Sequence, residues 1–577
     1  MNGIGASPGI AIGKSFVLPN WEWELTDQKI DVADLAREFD RLYEGIRTSK
    51  NEIEQMKDEL REVVGTEEST IFDAHLAILD DPAFMNEIQG MIQRQYKAAE
   101  VAVKEAIDHF VAMFDLLDDE YMKERALDIK DVGNRLLKHL LGAPEITLPS
   151  DTQPFILVAK ELSPSQLAHL NPQHVLGIVT LSGSTTSHSA IMARALGIPL
   201  VVGIDIEPAQ ADSMPIQTGE MLVIDGTEGI VWIEPTGEQI DYYSELQRRE
   251  KEAKQRLKGF ADVVPMTPDG KELGLAANIS SLKELEVALG SGARGVGLFR
   301  TEFLYMDRNR FPREDEQFEV YKSVAERLGA KPLIIRTLDI GGDKHLDYFE
   351  LPEEDNPFLG YRAIRISLDR TDLFKTQLRA IVRASHYGNV KIMYPLISSV
   401  EEVRSANRLL DEVKQELRSE GAPFSDTLET GIMIELPAAV QIAELLAEEV
   451  DFFSIGTNDL VQFTLAVDRM NEQISHLYDP FHPAILRMLR MTVEAAKKNG
   501  IKIGVCGEMA SDLNALPIWL ALDVDELSMS GHAILELKER LLRTTQRGSR
   551  ELFSELLRCS TSMDIHEKLR AFASTIH

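Results

Sequence analysis

The sequence predicts a multidomain α/β protein, in which an α/β domain with an inserted α-helical block precedes a (β/α)8 TIM-type barrel. The chain has 577 residues, which is too long for one ordinary domain. Strand-like runs at the start of the chain and again before residue 236 enclose a long stretch of helical periodicity. Beyond residue 262, strand-like runs alternate with helical patterns, as the units of a barrel do.

The first domain is predicted to be discontinuous in the sequence, formed by residues 1–20 and 144–235. The opening segment is rich in Gly, Ile and Val. The later segment contains five strand-like runs that end near turn-forming residues, PFILVAK, VLGIVT, PLVVGID, MLVIDG and GIVWIEP. The most economical interpretation is one domain interrupted by the helical block.

Residues 21–143 are predicted to form this inserted block. Mainly apolar residues recur there at three- and four-residue spacing, which predicts one apolar stripe along a helix. Its members are Ile71, Phe72, His75, Leu76 and Leu79. We expect most of the stripe to be the internal core of the block, with Glu67, Glu68 and Arg125 at an exposed rim. The block is acidic, since residues 51–143 hold 21 acidic and 10 basic residues.

The second half of the chain begins with a charged helical pattern over residues 236–261, which predicts a stiff connector. Residues 262–577 then contain eight strand-like runs: LGLAANI, GVGLFR, PLIIRTLDI, VKIMYPLI, GIMIEL, DFFSIGT, IKIGVCG and ELSMS. Eight strand-then-helix units in this length fit a closed barrel better than an open sheet.

Composition excludes several classes of function. The formal charge of −33 argues against a nucleic-acid partner and favours either solubility or a basic protein partner. No apolar run is long enough for a membrane span, and the N-terminal segment lacks the pattern of a signal peptide. Only Cys506 and Cys559 are present, so we expect a reducing, cytoplasmic environment without disulfides.

Polar side chains cluster where the predicted barrel strands end. They are Asn278, Arg300, Arg336, Glu435, Asn458, Asp459, Cys506 and Glu508. Substrates bind at this face of a (β/α)8 barrel, because side chains from different strands converge there. A purely stabilising role is the alternative for any one of these residues.

The residue types at this face indicate a small, multiply charged, metal-bound anion. Glu435 and Asp459 offer hard oxygen ligands of the kind that Mg²⁺ prefers. The candidate anion-binding cations are Arg300, Arg336, Lys344 and Arg469. Guanidinium groups match carboxylate and phosphate oxygens with paired hydrogen bonds, although any single arginine could instead form a rim salt bridge. Cys506 could be either packing or a proton donor.

A second reactive candidate lies in the first domain. The segment LSGSTTSHSAIMARALGIP predicts a polar turn that opens a short helix, with Thr186 or Ser187 as the N-cap and Gly197 at its end. His188 is then in the first helical turn. Free N–H groups and the helix dipole there suit a negatively charged phosphorylated imidazole. A capping-turn histidine without chemistry is the alternative.

These segments together resemble Enzyme I of the bacterial sugar phosphotransferase system, the phosphoenolpyruvate–protein phosphotransferases. The resemblance runs through essentially the whole chain. It is carried by SPGIAIG, TTSHSAIMARALGIP, GLFRTEFLYMDR, IIRTLDIGGDK, NPFLGYRAIRI, SIGTNDLVQFTLAVDR, SHLYDP and VCGEMA. Several of these segments are long and contain charged residues in a fixed order.

The resemblance implies a role for each candidate residue. His188 is implied as the phosphorylated histidine and Cys506 as the acid that protonates enolpyruvate. The implied phosphoenolpyruvate contacts are Arg300, Arg336, Asn458 and Arg469, and the implied Mg²⁺ ligands are Glu435 and Asp459. We also expect Lys344 and Asp459 to belong to the substrate-binding site. The helical insertion is implied to bind the phosphocarrier protein HPr, and the barrel to form a homodimer.

The sequence departs from the family pattern near His188. The family's Gly-Gly-Arg/Lys-Thr-Ser-His is replaced here by a segment in which Ser184 and Thr185 stand in place of a glycine and a basic residue. Leu167 occupies a position where the family commonly has a threonine that can hydrogen-bond the active histidine. These changes affect the expected tautomer of His188 and its local field.

The sequence features argue against other classes of protein that share parts of this pattern. Pyruvate phosphate dikinase and phosphoenolpyruvate synthase need an additional ATP-binding domain, and no glycine-rich phosphate loop precedes His188. The nitrogen-branch paralogue of Enzyme I usually carries an extra N-terminal sensory domain. A non-catalytic scaffold would not need the set of Arg, Glu, Asp, His and Cys residues described above.

Overall fold

The computed structural model describes residues 1–18, 25, 29–63, 71–115, 120–143, 154–168, 170, 174–185, 187–204, 215–306, 308–342, 344, 346, 348–471 and 473–576. Within these residues the chain divides into two compact units, Met1–Glu252 and Ala253–His577. The predicted rim residues Glu67 and Glu68, and the predicted N-cap Thr186, lie outside the described residues.

The first unit contains one mixed sheet. Its strands are β1 (Ile4–Ser7), β2 (Ile10–Val17), β3 (Phe155–Ala159), β4 (Val175–Thr180), β5 (Leu200–Val202), β6 (Met221–Asp225) and β7 (Ile230–Ile233). Their order in the sheet is β1-β5-β4-β3-β2-β6-β7. The four central strands are parallel, whereas β1, β6 and β7 each pair antiparallel with their neighbours. The strand-like runs predicted on both sides of the helical block are therefore confirmed.

A helical block follows β2 in the sequence and precedes β3, although these two strands are paired neighbours. Its helices are α1 (Leu35–Val63), α2 (Ile71–Asp80), α3 (Pro82–Gln95), α4 (Ala99–Asp115) and α5 (Glu120–Leu141). The apolar stripe forms core, as predicted, since Ile71, Phe72, His75 and Leu79 are buried and Leu76 packs beside them. Side chains of the block and of one face of the sheet share a single hydrophobic core.

Three further helices complete the first unit and the connection to the second: α6 (Pro164–Ala168), α7 (His188–Leu196) and α8 (Gly237–Lys258). The last of these confirms that the charged connector is helical. The boundary between the two compact units falls within α8, between Glu252 and Ala253.

The second unit is a closed barrel of eight parallel strands, as predicted. The strands are β8 (Gly274–Ile279), β9 (Val296–Phe299), β10 (Pro332–Arg336), β11 (Asn389–Tyr394), β12 (Thr430–Ile434), β13 (Phe452–Ile455), β14 (Lys502–Val505) and β15 (Glu526–Met529). Each pairs with the next in sequence, and β15 closes the barrel on β8. All eight strand-like runs of the sequence are therefore confirmed.

Helices follow the strands of this barrel, the last three of them after β15. They are α9 (Leu282–Gly290), α10 (Glu314–Leu328), α11 (Ile364–Asp369), α12 (Thr371–Ala384), α13 (Val400–Glu420), α14 (Pro437–Gln441), α15 (Ala443–Leu446), α16 (Thr457–Leu465), α17 (Pro483–Lys498), α18 (Leu516–Leu522), α19 (Ile534–Leu541), α20 (Gln546–Leu556) and α21 (Ser562–Thr575). Their apolar faces form one large core with the outer faces of the strands. A smaller core fills the barrel interior and includes Cys506.

No helix among the described residues is both long and apolar enough to cross a lipid bilayer.

Candidate active site

The first candidate site is the turn before helix α7. Ser187, one of the two predicted N-cap residues, is the N-cap, because its Oγ accepts a hydrogen bond from the Ala190 N–H at 3.3 Å. The same hydroxyl donates to the carbonyl oxygen of Ser184 at 2.9 Å. Gly197 ends the helix in the left-handed conformation with a φ of 68°, a conformation that glycine adopts without strain. His188 is the first helical residue, and its side chain lies outside the described atoms.

The residues that depart from the family pattern take part in this turn. Arg194 donates from Nη2 to the carbonyl oxygen of Thr185 at 2.6 Å, so the turn is tied to the helix that follows it. Leu167 is buried in the hydrophobic core, where its apolar side chain offers no hydrogen bond. The carbonyl oxygens of Ser184 and Thr185 therefore tie this loop to Ser187 and Arg194.

The second candidate site is the barrel face at the carboxyl ends of the strands. Arg336 ends β10, while Arg300, Glu435 and Cys506 directly follow β9, β12 and β14. Asn458 and Asp459 lie in the first turn of α16, after β13. Asn278 is the penultimate residue of β8, and Lys344 and Arg469 lie in the loops beyond β10 and α16. The structure therefore brings the predicted barrel residues to one face.

Arg336 lies in a buried cluster of ion pairs. Its Nη2 contacts the carboxylate of Glu302, and its Nη1 lies 3.0 Å from Oδ2 of Asp339. Lys344 contacts the same two carboxylates at 3.3 Å and 3.5 Å. Burial alone would raise the pKa of Glu302, but Arg336 and Lys344 outweigh burial and hold that pKa below its ordinary value. The two carboxylates are therefore ionised partners of the cations.

Arg362 continues this cluster toward Asp459. Its Nη2 lies 3.2 Å from Asp339 Oδ1 and 3.1 Å from Asp459 Oδ2. Arg469 binds the other oxygen of Asp459, at 3.1 Å from Nη1. Asp459 thus bridges two guanidinium groups and is itself buried. Such a cluster holds its cations in fixed positions, because each is bound to a buried carboxylate.

Several guanidinium nitrogens at this face point to a further binding partner. Within the described residues, the buried Nε atoms of Arg300, Arg336 and Arg362, and also Nη1 of Arg362, have no hydrogen-bond partner. Among those residues no carboxylate pairs with Arg300, whose guanidinium lies 5.4 Å from the ring centre of Phe303. A buried donor without a partner costs about 1–3 kcal/mol. An anion with several acceptor oxygens would satisfy these groups together.

Glu435 is a buried carboxyl group held by the backbone. Its Oε1 accepts a hydrogen bond from the Leu396 N–H at 2.6 Å. Leu396 has a φ of 54°, a strained conformation for a bulky residue, and Ala363, next to Arg362, also has a positive φ. Burial first, and then the carboxylate of Asp459, raise the pKa of Glu435 to about 8. A cation bound between these two carboxyl groups would offset the cost of ionising Glu435 beside Asp459.

No group of three His, Cys, Asp or Glu side chains in the described part of the chain forms a preformed metal site. Glu435 and Asp459 are two carboxyl groups, so a cation bound by both would need further ligands from water or substrate. That requirement suits Mg²⁺, which usually keeps few protein carboxylates and several other oxygen ligands.

Two further predicted residues are held by hydrogen bonds at the same face. Asn458 donates from Nδ2 to Glu508 Oε1 at 2.9 Å and accepts from the Glu508 N–H at 2.8 Å, so its amide is held in one orientation. Asn278 donates from Nδ2 to the carbonyl oxygen of Cys506 at 3.0 Å and accepts from Ser528 Oγ at 2.7 Å. The backbone around Cys506 is therefore fixed from two sides.

The thiol of Cys506 lies in the apolar interior of the barrel. It packs with Leu298, Ile334, Met433 and other inner side chains. Burial raises the pKa of this thiol to about 11. The thiol is therefore protonated at neutral pH, as a proton donor must be.

Sequence reasoning missed three charged residues of this cluster, Glu302, Asp339 and Arg362. All three belong to segments already noted in the sequence, GLFRTEFLYMDR, IIRTLDIGGDK and NPFLGYRAIRI. The signal that could have identified them is their place in the loops after β9 and β10. Arg362 pairs with Asp339 and Asp459, which lie 23 and 97 positions away, and no local pattern shows such pairs.

Three family models match the chain. The model described as "PEP-utilising enzyme, PEP-binding domain" matches residues 254–546. The model "PEP-utilising enzyme, N-terminal" matches residues 2–125, and "PEP-utilising enzyme, mobile domain" matches residues 152–229. Together these models account for most of the chain.

The chain is also similar to proteins named "Phosphoenolpyruvate-protein phosphotransferase". It is 45% identical to the protein from Geobacillus stearothermophilus over 566 residues, which are 98% of this chain and 96% of the relative. Identity to the Bacillus subtilis protein is 45% over 566 residues, covering 98% of both chains. Identity to the Staphylococcus aureus protein is 43% over 569 residues, again 98% of both.

Proposed function

The chain belongs to the phosphoenolpyruvate–protein phosphotransferases, the Enzyme I family, and on that premise we propose the following reaction for its own residues. The phosphoryl group of phosphoenolpyruvate passes to His188 and then to a histidine of the phosphocarrier protein HPr. Pyruvate is released. The reaction is the first step of sugar uptake by the phosphotransferase system.

The observation that carries this proposal is the set of unpartnered guanidinium nitrogens at the barrel face. Phosphoenolpyruvate presents phosphate and carboxylate oxygens, which accept paired hydrogen bonds from arginine. Arg300, Arg336 and Arg362 each keep at least one buried nitrogen without a partner among the described residues. We assign these arginines, with Lys344 and Arg469, to neutralising the substrate's charge, and Asn458 to a neutral hydrogen bond with it.

The carboxylates Glu435 and Asp459 are assigned to hold Mg²⁺. The raised pKa of Glu435 beside Asp459 supports this assignment, because two close buried carboxyl groups gain from a shared cation. When bound, Mg²⁺ supplies additional neutralisation of the phosphate charge. The protein's own contribution is to orient the substrate between these carboxylates and the arginines.

His188 is the assigned nucleophile. As the first residue of α7 it lies beside helical N–H groups that have no intrahelical partner, and these favour a negatively charged phosphoryl group on the ring. The neutral imidazole attacks phosphorus through a ring nitrogen, and the bond from phosphorus to the enol oxygen breaks in line with the attack. Positioning and charge neutralisation supply most of the catalysis.

Cys506 is assigned the remaining proton transfer. Loss of the phosphoryl group leaves an enolate, which must gain a proton at carbon to become pyruvate. The thiol is protonated at neutral pH because burial raises its pKa to about 11. Its place directly after β14, with its carbonyl held by Asn278, supports a fixed donor at the barrel face.

The domain roles follow from this reaction as proposals. Residues 1–20 and 144–235 form the phosphohistidine domain, and residues 262–577 bind phosphoenolpyruvate and form the homodimer. His188 must reach the barrel face and then HPr, so residues 236–261 are assigned as the hinge. The acidic block over residues 21–143 is assigned to bind HPr, whose basic residues would be attracted by it. A cytoplasmic location fits this partner and the free cysteines.

The proposal is tested by incubating the wild-type chain and a His188→Ala variant with labelled phosphoenolpyruvate and Mg²⁺. We expect an acid-labile label on the wild type and none on the variant. Calorimetry should show that the variant still binds phosphoenolpyruvate, because the assigned binding residues belong to the other unit. A label of normal yield on the His188→Ala variant would show that another residue is the nucleophile.

A further inference from the structure

Gln377 lies on the outer helix α12, and its side chain is 1% exposed. A buried amide is costly unless its polar atoms are paired. Here Oε1 accepts a hydrogen bond from the Leu338 N–H at 2.9 Å, and Nε2 donates to Thr301 Oγ1 at 3.1 Å and to Tyr321 OH at 3.4 Å. The amide therefore joins the loop after β9 to the loop after β10.

The next hydrogen bond reaches Arg336. The Thr301 hydroxyl, which accepts from Gln377, donates to the carbonyl oxygen of Arg336 at 2.9 Å. Thr301 is fully buried, and its neighbour Glu302 contacts the Arg336 guanidinium. The Gln377 amide is thus connected to Arg336 in two ways. One is the hydrogen bond from Thr301 to the backbone carbonyl of Arg336, and the other is the Glu302 carboxylate, which follows Thr301 and contacts the Arg336 side chain.

The direction of each hydrogen bond in this series is fixed by its ends. The Leu338 backbone nitrogen can only donate, so the oxygen of the Gln377 amide must face it. The Arg336 carbonyl can only accept, so the Thr301 hydroxyl must give its hydrogen to it and accept from the amide. Because the series has one arrangement of donors and acceptors, it holds the segment from Arg336 to Leu338 in one position.

We propose that Gln377 is a positioning residue for phosphoryl transfer, which acts through Thr301 on Arg336. This inference rests on the proposed function, in which Arg336 contacts phosphoenolpyruvate. Gln377 lies on an outer helix, and its hydrogen bonds to described residues connect it to the site through Thr301 and Leu338, so we expect its effect to pass through the Arg336 loop. A displacement of a binding group by about 1 Å can lower the rate about a hundredfold.

The same region offers a matched control. Gln317 on α10 is also 1% exposed, and its amide makes three hydrogen bonds, to Tyr305 OH at 3.1 Å, to Tyr321 OH at 3.2 Å and to the Pro312 carbonyl at 3.1 Å. None of these partners belongs to the Arg336 loop, and Tyr321 OH, which lies 3.4 Å from Gln377 Nε2, is the one partner that Gln317 shares with Gln377. A Gln317→Met variant therefore removes a buried amide of equal size and burial without removing a bond to that loop.

The test measures single-turnover self-phosphorylation of the full chain over a range of phosphoenolpyruvate concentrations, together with the midpoint of thermal unfolding. Gln377→Met should lower the maximal rate divided by the half-saturating concentration about tenfold to a hundredfold. Gln317→Met should lower the unfolding midpoint similarly and leave the kinetics within about twofold. Thr301→Val should reproduce the kinetic loss, and Thr301→Ser, which keeps the hydroxyl, should restore normal kinetics.

A double-mutant cycle separates this inference from the proposed function. If Gln377 acts through Arg336, Gln377→Met should add less than about a twofold loss to an Arg336→Ala variant. Additive losses in the double variant would overturn the inference about Gln377. So would normal kinetics in both Gln377→Met and Thr301→Val when Arg336→Ala is defective. Neither result would contradict the proposed function. Normal kinetics in Arg336→Ala would instead overturn the assignment of Arg336 to substrate binding, and the positioning role with it.

Discussion

Replacing Cys506 by alanine should separate pyruvate formation from phosphoryl transfer. In the proposed reaction the thiol acts on the enolate after the bond from phosphorus to oxygen has broken. The substitution should therefore slow the appearance of pyruvate and leave the rate of His188 phosphorylation nearly unchanged. Alanine also fits the apolar interior of the barrel, so we expect a cost in stability of only about 1 kcal/mol.

The magnitude follows from the burial of the thiol. With its pKa raised to about 11, about one molecule in 10,000 carries a thiolate at pH 7, so the acid form is always available. A positioned general acid contributes about 10²–10⁴ to a rate, and pyruvate formation should fall by that factor. Loss of the acid form of this thiol should therefore slow pyruvate formation only as the pH rises toward about 11.

The assay is a quenched single turnover in which phosphohistidine and pyruvate are measured in the same samples. Cys559→Ala is the matched control, because that thiol is also buried but contacts the Glu555 carbonyl on α20, away from the barrel face. Equal losses of phosphohistidine and pyruvate in Cys506→Ala would refute the proton-donor role. Unchanged rates of both would refute it as well.

Three other predictions concern the metal, stability and the partner. Glu435→Gln and Asp459→Asn should each raise the Mg²⁺ concentration needed for half-maximal transfer or abolish turnover. The control Glu429→Gln, at the opposite end of β12, should do neither. Unchanged Mg²⁺ titrations in the first two variants would show that the metal binds elsewhere. Burial would raise the pKa of Asp523, but Lys271 and Lys497 outweigh burial and lower that pKa to about 2. The ionised Asp523 therefore stabilises the fold above the pKa of the unfolded state, and this stabilisation is lost as the pH falls toward 2. Asp523→Asn should therefore lower the free energy of unfolding by about 1 kcal/mol at pH 7, with the difference narrowing in acid; thermal unfolding with an equal difference at every pH would contradict this. Phosphate exchange between phosphorylated HPr and the chain should slow as salt rises, because charges are screened over about 10 Å at 0.1 M ionic strength, and salt-independent exchange would assign the acidic block to solubility alone.

The architecture could be predicted because its signals are local. Each barrel strand is a short apolar run bounded by turn residues, and the apolar positions of an amphipathic helix recur every three or four residues. The start of α7 was predictable for the same reason, since Ser187 and Gly197 are local capping signals. The sequence also predicted which side chains follow the strands, because the carboxyl ends of parallel strands meet at one face.

The chemistry of that face depends on contacts between distant segments and could not be predicted from local patterns. Arg362 is joined to Asp459 across 97 positions, and the Gln377 amide bonds Thr301 across 76 positions. The burial that raises the pKa of Cys506 is likewise a property of packing among several strands. The strained backbone of Leu396 has no sequence signal, because branched residues ordinarily avoid that conformation.

The central claim is that one phosphoryl group passes from phosphoenolpyruvate to HPr by way of His188. The most direct measurement is a pulse and chase in which the chain is first labelled from phosphoenolpyruvate, unlabelled substrate is added in excess, and HPr is then mixed in while quenched samples are digested. We expect the label to leave the peptide that contains His188 at the rate at which it appears on HPr. Label that appears on HPr while the His188 peptide stays unlabelled, or keeps its label throughout, would contradict the proposed pathway.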